Sequence, residues 1–192
     1  EKLSRAIIEK RSLQDAFLEV VKDYSAVKVE RPCGERPLLV ILGDLYVVCN
    51  PAFNQDVEKT IEEAGGEALA ASYVDLSHFN YLNRIDKSIR DRSFRTLAQA
   101  AGLNAFVRHY DFKFRKMASP VLGPAHPLMD TKLLKDLRNL GIPPELEGET
   151  AQNVMKILYY LKHFKPDAFV HINPLYCCPG VVSNALLNWV EA

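Results

Sequence analysis

The sequence predicts an α/β fold: a Rossmann-like parallel sheet flanked by helices and carrying a helical insertion. Three observations predict it. Leu38 to Leu42, "LLVIL", is a short continuous apolar run of the kind found in strands buried on both faces. A capped helix follows it and leads to a second short apolar run, "EALAAS", from Glu67 to Ser72. Far downstream, "AFVHI", Ala168 to Ile172, restores the strand pattern just before a last helical segment.

The elements follow in order. Ser12 caps a helix reaching Val27, with Ala16, Phe17, Val20, Val21 and Tyr24 at helical spacing. "RPCGERP", Arg31 to Pro37, is a linker, because two prolines and a glycine disfavour regular structure. After the first strand, "GDLYVVCNP" reads as a polar loop. Asn50 is a good N-cap and Pro51 suits the first helical position, which needs no N–H. This helix is expected to run to about Ala64 on an inner stripe of Phe53, Val57 and Ile61, and Gly65-Gly66 stops it. The region between the second and third strands, about residues 73–165, is the insertion. Helices are expected there at Leu76–Ile89, Phe94–Met117, Thr131–Leu140 and Glu149–Phe164, with a loop over Ser119–Pro127. Gly102 weakens the second of these. The last has a stripe of Val154, Ile157, Leu158 and Leu161. A final helix starts at about Pro179, with Cys178 as its cap.

Residues 1–35 thus form an N-terminal helix and linker, and residues 36–192 an α/β half-domain. The chain begins without Met and stops at Ala192 inside a helical pattern, so a piece of a longer protein, truncated at its C-terminus, is expected.

Composition narrows the function. Hydrophobic residues make up 48% and charged ones 25%, an ordinary globular balance that allows a sizeable core. Formal net charge is +0, so no field favours nucleic acid or an anionic membrane, and neither is expected as a partner. The basic run from Arg84 to Arg95 reads as a solvated helix face. No apolar run approaches the ~18 residues of a membrane span. Four cysteines without secretory features point to a reduced, cytoplasmic setting. There is no G-x-S-x-G elbow, no H-E-x-x-H and no G-x-x-x-x-G-K-[ST] loop, so hydrolase, zincin and P-loop ATPase chemistry lack support.

What remains is the carboxyl edge of the sheet, where ligands of open parallel sheets bind. Two strands lead there through "GDLYVVCNP" and "NPLYCCPG". Cysteine stands in both loops: Cys49 in the first, Cys177 and Cys178 in the second. The start of a helix favours an anionic group, a thiolate included, and its N–H groups suit cluster sulfurs or an oxyanion. The other reading of each cysteine is a small buried hydrophobe. Cys33 belongs to that class more than the rest. Tyr46 and Tyr176 occupy comparable places in the two loops, where each can donate to a ligand or pack. His171 reads as a core or edge histidine or as a group near the cleft. His78 reads as a surface or capping residue, and His126 as a loop residue.

Two segments carry a family resemblance. "RPLLVILGDLYVVCNPAFNQDVEKTIEEAGGEAL" and "KPDAFVHINPLYCCPGVVSNAL" resemble the 2-hydroxyacyl-CoA dehydratase family, its D-component-like members. The nearest resemblance is to the branch fused within large CoA-substrate-specific enzyme activase proteins. It covers most of Arg36 to Ala192. It implies a Rossmann-like half-domain contributing to an iron–sulfur cluster, 4Fe-4S in kind, for low-potential electron transfer. It implies as partners an activase ATPase domain or subunit, the remaining half of the dehydratase-like module, and an acyl-CoA. Carried over by position, the metal-ligand role falls on Cys178 or Cys177, with Cys178 preferred as the cap. Asn50, Pro51 and Tyr176 form the cofactor-side wall of the cleft. The family's further cysteine after the second strand is missing: "ASYVDLSHFNY" offers Tyr73, His78 and Tyr81 instead. The isolated chain is therefore expected to hold no cluster and to be inactive by itself. The alternative is a non-catalytic module that docks an ATPase activase domain.

Overall fold

The computed structural model describes residues 1–28, 35–123, 129–146 and 149–191, the last four of these as backbone only. Cys33 and His126 lie outside the described residues. The chain divides into two compact units, residues 1–32 with 106–128, and residues 33–105 with 129–192.

The larger unit is a mixed α/β structure around an open, three-stranded parallel sheet. Its strands are β1 (Leu38–Gly43), β2 (Glu67–Ala70) and β3 (Ala168–Ile172), in the order β2-β1-β3. Leu38 to Ile41 pair with Glu67 to Ala70, and Leu39 to Gly43 with Ala168 to Ile172. β1 is buried on both faces, as its unbroken apolar run requires. Ile41 faces Val48 and Ile61 on one side. Val40 and Leu42 face the larger core on the other, with Phe79, Leu134, Met155 and Tyr159.

Ten helices are described in the chain: α1 (Lys2–Ile8), α2 (Leu13–Ser25), α3 (Leu45–Val48), α4 (Pro51–Asn54), α5 (Val57–Glu63), α6 (Tyr73–Arg90), α7 (Phe94–Leu122), α8 (Thr131–Asn139), α9 (Thr150–His163) and α10 (Cys178–Glu191). Side-chain capping explains five of these ten starts. The side chains of Ser12, Asp44, Asn50, Ser72 and Asp130 each accept a hydrogen bond from an N–H of the following first turn.

Several expectations need correction. The "GDLYVVCNP" loop holds a helical turn, α3, because Asp44 caps it. The helix expected from Pro51 to Ala64 is broken in two. Gln55 and Asp56 adopt left-handed backbone, φ +57° and +52°, which ends α4 and restarts the chain as α5. Phe53 consequently leaves the inner stripe and is exposed. α6 starts three residues early because Ser72 caps it. α7 passes Gly102 unbroken and runs through Pro120 to Leu122. Pro120 has no N–H to give the Lys116 carbonyl, which accepts instead from the Ser119 hydroxyl at 2.9 Å. α1 has no counterpart among the expected elements: its few apolar residues do not set a period.

α9 differs most in character. The sequence predicts one apolar stripe, yet every position from Thr150 to Tyr160 except Leu158 is buried, and Leu161 is 49% exposed. It is a central helix covered on all sides, with Gln152, Asn153 and Lys156 inside. No described helix is long and apolar enough to cross a membrane.

Candidate functional site

The carboxyl edge of the sheet is stitched together by backbone and side-chain bonds between successive exit loops. Asp44, just past β1, donates its N–H to the carbonyl of Ile172 at 3.0 Å and to Oδ1 of Asn173 at 3.1 Å, joining the β1 and β3 exits. Leu45 donates its N–H to Oε1 of Glu149 at 3.4 Å, which ties the start of α9 to the same place. Thr150 donates its hydroxyl to the carbonyl of Pro179 at 3.2 Å, which adds the start of α10. Two glycines permit this closeness. Gly43 has φ +134°, and Gly180 lies where any Cβ would meet the Asn173 side chain at 2.6 Å.

The cysteines sit on this rim. Cys178 is the first residue of α10, one position earlier than expected, and is exposed. Cys177 is half-buried. Its carbonyl accepts from the N–H of Val181 at 3.0 Å, so Cys177, rather than Cys178, holds the capping position. The helix-start argument therefore applies to both residues and does not separate them. Tyr176 precedes them in left-handed backbone, φ +64°, with 87% of its surface exposed. Cys49, at the end of α3, is an exposed thiol. Asn50 caps α4 through Oδ1, which accepts from the N–H of Ala52 at 3.1 Å, and Pro51 is its exposed first residue. No hydrogen bond or ion pair among the described residues joins Asn50 or Pro51 to Cys177 or Cys178. Tyr46 is exposed, with its ring 5.3 Å from that of Phe53. Among the described residues, no group of three or more His, Cys, Asp or Glu side chains could hold a metal.

Beneath the rim lies a polar interior that sequence reasoning missed. Glu149, Gln152, Asn153, Lys156 and Tyr160 recur on one side of α9 at the spacing of successive helical turns. Tyr160 donates its hydroxyl to the buried Asp75 at 3.1 Å. The Asn153 amide bonds Nε2 of His171 at 3.3 Å. His171 also bonds Asn184 through Nδ1 and lies 3.2 Å from the Asn173 amide, the residue that holds Asp44. The spacing of the polar residues is visible in "ETAQNVMK", but an amphipathic helix is expected to turn such residues to solvent. Only the burial of α9 on all sides places them inside. His78, expected as a surface or capping residue, is fully buried within α6 with Asn104 3.5 Å away.

Burial sets the protonation chemistry of this interior. It pushes the Lys156 ammonium down in pKa, against the opposing pull of Glu149, Asp75 and Cys49. It pushes the Glu149 carboxyl up, with Lys156 and the Leu45 N–H resisting and Asp44 assisting. It raises the Tyr160 phenol, which the neighbouring Asp75 raises further. In both Lys156 and Glu149 burial is the larger cause, and the charge of each opposes the shift of the other.

His171 is likewise pushed below its ordinary value, by burial first and by the Lys156 charge, with the Asn184 bond opposing. A histidine lowered on folding binds fewer protons folded than unfolded below about pH 6.5. Wild-type stability should therefore fall as the pH drops below that value, through the lowered folded pKa. Denaturant titrations of wild type and His171→Gln from pH 7.5 to 5 should show this component absent from the variant. Glu149 contributes the opposite sign above pH 4.5, its unfolded value: its raised pKa favours the folded state at the acid end of that window and loses the advantage as pH rises. The difference between the two proteins isolates His171. A difference independent of pH would remove the histidine from the interior.

No family model, no curated protein and no solved structure matches the chain.

Proposed function

We propose that the chain is one wall of an iron–sulfur centre of the 2-hydroxyacyl-CoA dehydratase and activase type, in a Rossmann-like half-domain working in the cytoplasm. The observation that carries this reading is the convergence of the β1 and β3 exits at Asp44 with the start of α10, which leaves the Cys178 thiol open and Cys177 half-open. The fit is partial. Two adjacent thiols at a helix start suit a thiolate-ligated cluster, but one segment does not complete a four-ligand set. In this reading the remaining ligands come from the other half of the module, in further sequence or another subunit. An ATPase activase domain is the electron-donating partner and an acyl-CoA the substrate. When bound, the cluster supplies low-potential electron transfer. The chain's own part is to present a thiolate and helix N–H groups.

A second reading, a non-catalytic module that docks the activase domain, draws on the exposed apolar side chains of Tyr46, Phe53, Leu175 and Tyr176 on the two exit loops and α4. Iron content separates the two. Full-length parent protein prepared anaerobically should contain iron and sulfide and show a cluster spectrum. Cys177→Ala/Cys178→Ala together should lose most of the iron, and one single variant should reproduce that loss. Unchanged iron in the double variant would leave the docking reading alone.

A further inference from the structure

The corner between α6 and α7, within the larger unit, carries charge and apolar surface that the fold does not use. From Ile89 to Arg95 every residue except Ser93 is exposed, Ile89 at 60% and Phe94 at 81%. The turn itself is fixed. The N–H groups of Arg92 and Ser93 donate to the carbonyls of Ile89 at 3.2 Å and Ser88 at 2.9 Å, and the Ser93 hydroxyl donates to that of Thr96 at 2.9 Å. Nearby, Arg90 and Arg138 each pair with both Asp86 and Glu145, a set that closes on itself. Residues 84–95 then retain Arg84, Lys87, Arg92 and Arg95 against Asp91 alone. All four cations are exposed, and no ion pair of theirs occurs among the described residues. Arg84 and Lys87 lie toward the C-terminus of α6, which favours cations. Arg92 and Arg95 lie at the start of α7, whose first turn has no acidic residue. Cations there oppose the helix dipole, so helix stability does not account for them.

We infer that this corner docks on an anionic lipid surface, with Phe94 entering the boundary between headgroups and acyl chains and the four cations meeting the headgroups. Charge complementarity selects an anionic partner. The zero net charge of the chain is no obstacle, because salt screens exposed charges beyond about 8 Å at physiological ionic strength and the local excess decides. The apolar tip selects a bilayer over an acidic protein. A side chain as exposed as Phe94 projects from its surroundings and leaves no groove beside it for a partner side chain to fill. A bilayer interface receives such a side chain without a shape-matched pocket, while long basic side chains keep their charge among the headgroups. The inference does not rest on the cysteines or on a cluster.

Co-sedimentation of the chain with vesicles tests this, using phosphatidylcholine alone and phosphatidylcholine mixed with phosphatidylserine. The wild-type chain should sediment with the mixed vesicles, stay in solution with phosphatidylcholine, and leave the mixed vesicles as salt is raised. Arg92→Gln/Arg95→Gln should weaken the binding by about tenfold or more, and Phe94→Ser by about tenfold. Both variants change exposed side chains, so their circular dichroism should match that of the wild type. Poly-glutamate in solution serves as the acidic-protein probe. Binding to it in place of the mixed vesicles would assign the corner to an acidic protein and overturn the inference. Equal binding to both kinds of vesicle, binding to neither, or an affinity unchanged in either variant would overturn it as well. The wild-type comparison of the two vesicles decides the matter even if a variant does not fold.

Discussion

Gly43→Ala should abolish the cooperative fold. A Cβ at this position would overlap the carbonyl oxygen of Ile172 and stand 2.8 Å from its carbon, both backbone atoms with no rotamer to escape into. The backbone at φ +134° is also one that residues with a side chain rarely adopt. Relief would require β1 and β3 to part where Gly43 pairs with Ile172, and would break the Asp44 bond to the same carbonyl. Strain and lost pairing together should cost about 4 kcal/mol or more, a large part of the stability of an ordinary domain. Gly141→Ala is the control. It has φ +72°, but a methyl group added there meets nothing within 4 Å, so only about 1 kcal/mol of backbone cost is expected. Urea transitions followed by circular dichroism should show a modest shift for Gly141→Ala and no cooperative transition for Gly43→Ala. Equal midpoints would refute the close approach of the two strand exits.

Met155→Ala should cost about 3 kcal/mol, whereas Leu161→Ala should cost less than about 1. The contrast comes from α9. Met155 is 0% exposed within the larger core, beside Val154 and Tyr159. Removing most of its side chain forfeits burial and leaves a cavity that fixed neighbours fill only in part. The spacing of Leu161 places it on the buried stripe, but it is 49% exposed, so little is lost with it. Urea midpoints of the two variants measure the contrast. Similar losses would mean that α9 buries a single stripe after all.

These two helix positions show where the sequence is legible. The three strands can be read because unbroken apolar runs bounded by turn residues have few other solutions in a chain this size. The caps can be read because Ser12 and Asn50 act within one turn of themselves. Long-range environment cannot. The break at Gln55 and Asp56 is a backbone choice with no glycine to announce it. The polar interior of α9 depends on what covers the helix from outside, which no local period encodes. The cysteine rim is half legible. Its place beside the β1 exit loop follows from the parallel strand order, but the one-residue shift in the start of α10 lies within the ordinary uncertainty of a helix boundary.

Thiol accessibility in the native chain tests the central claim most directly, because the site exists only if the start of α10 opens at the rim. Brief alkylation under native conditions, quenched and mapped by mass spectrometry, should label Cys178 readily and Cys177 at least several-fold more slowly, in line with their exposed and half-buried positions. Both thiols remaining unlabelled until the chain is unfolded would contradict the account, since sulfur sealed in the interior can reach neither a cluster nor a partner.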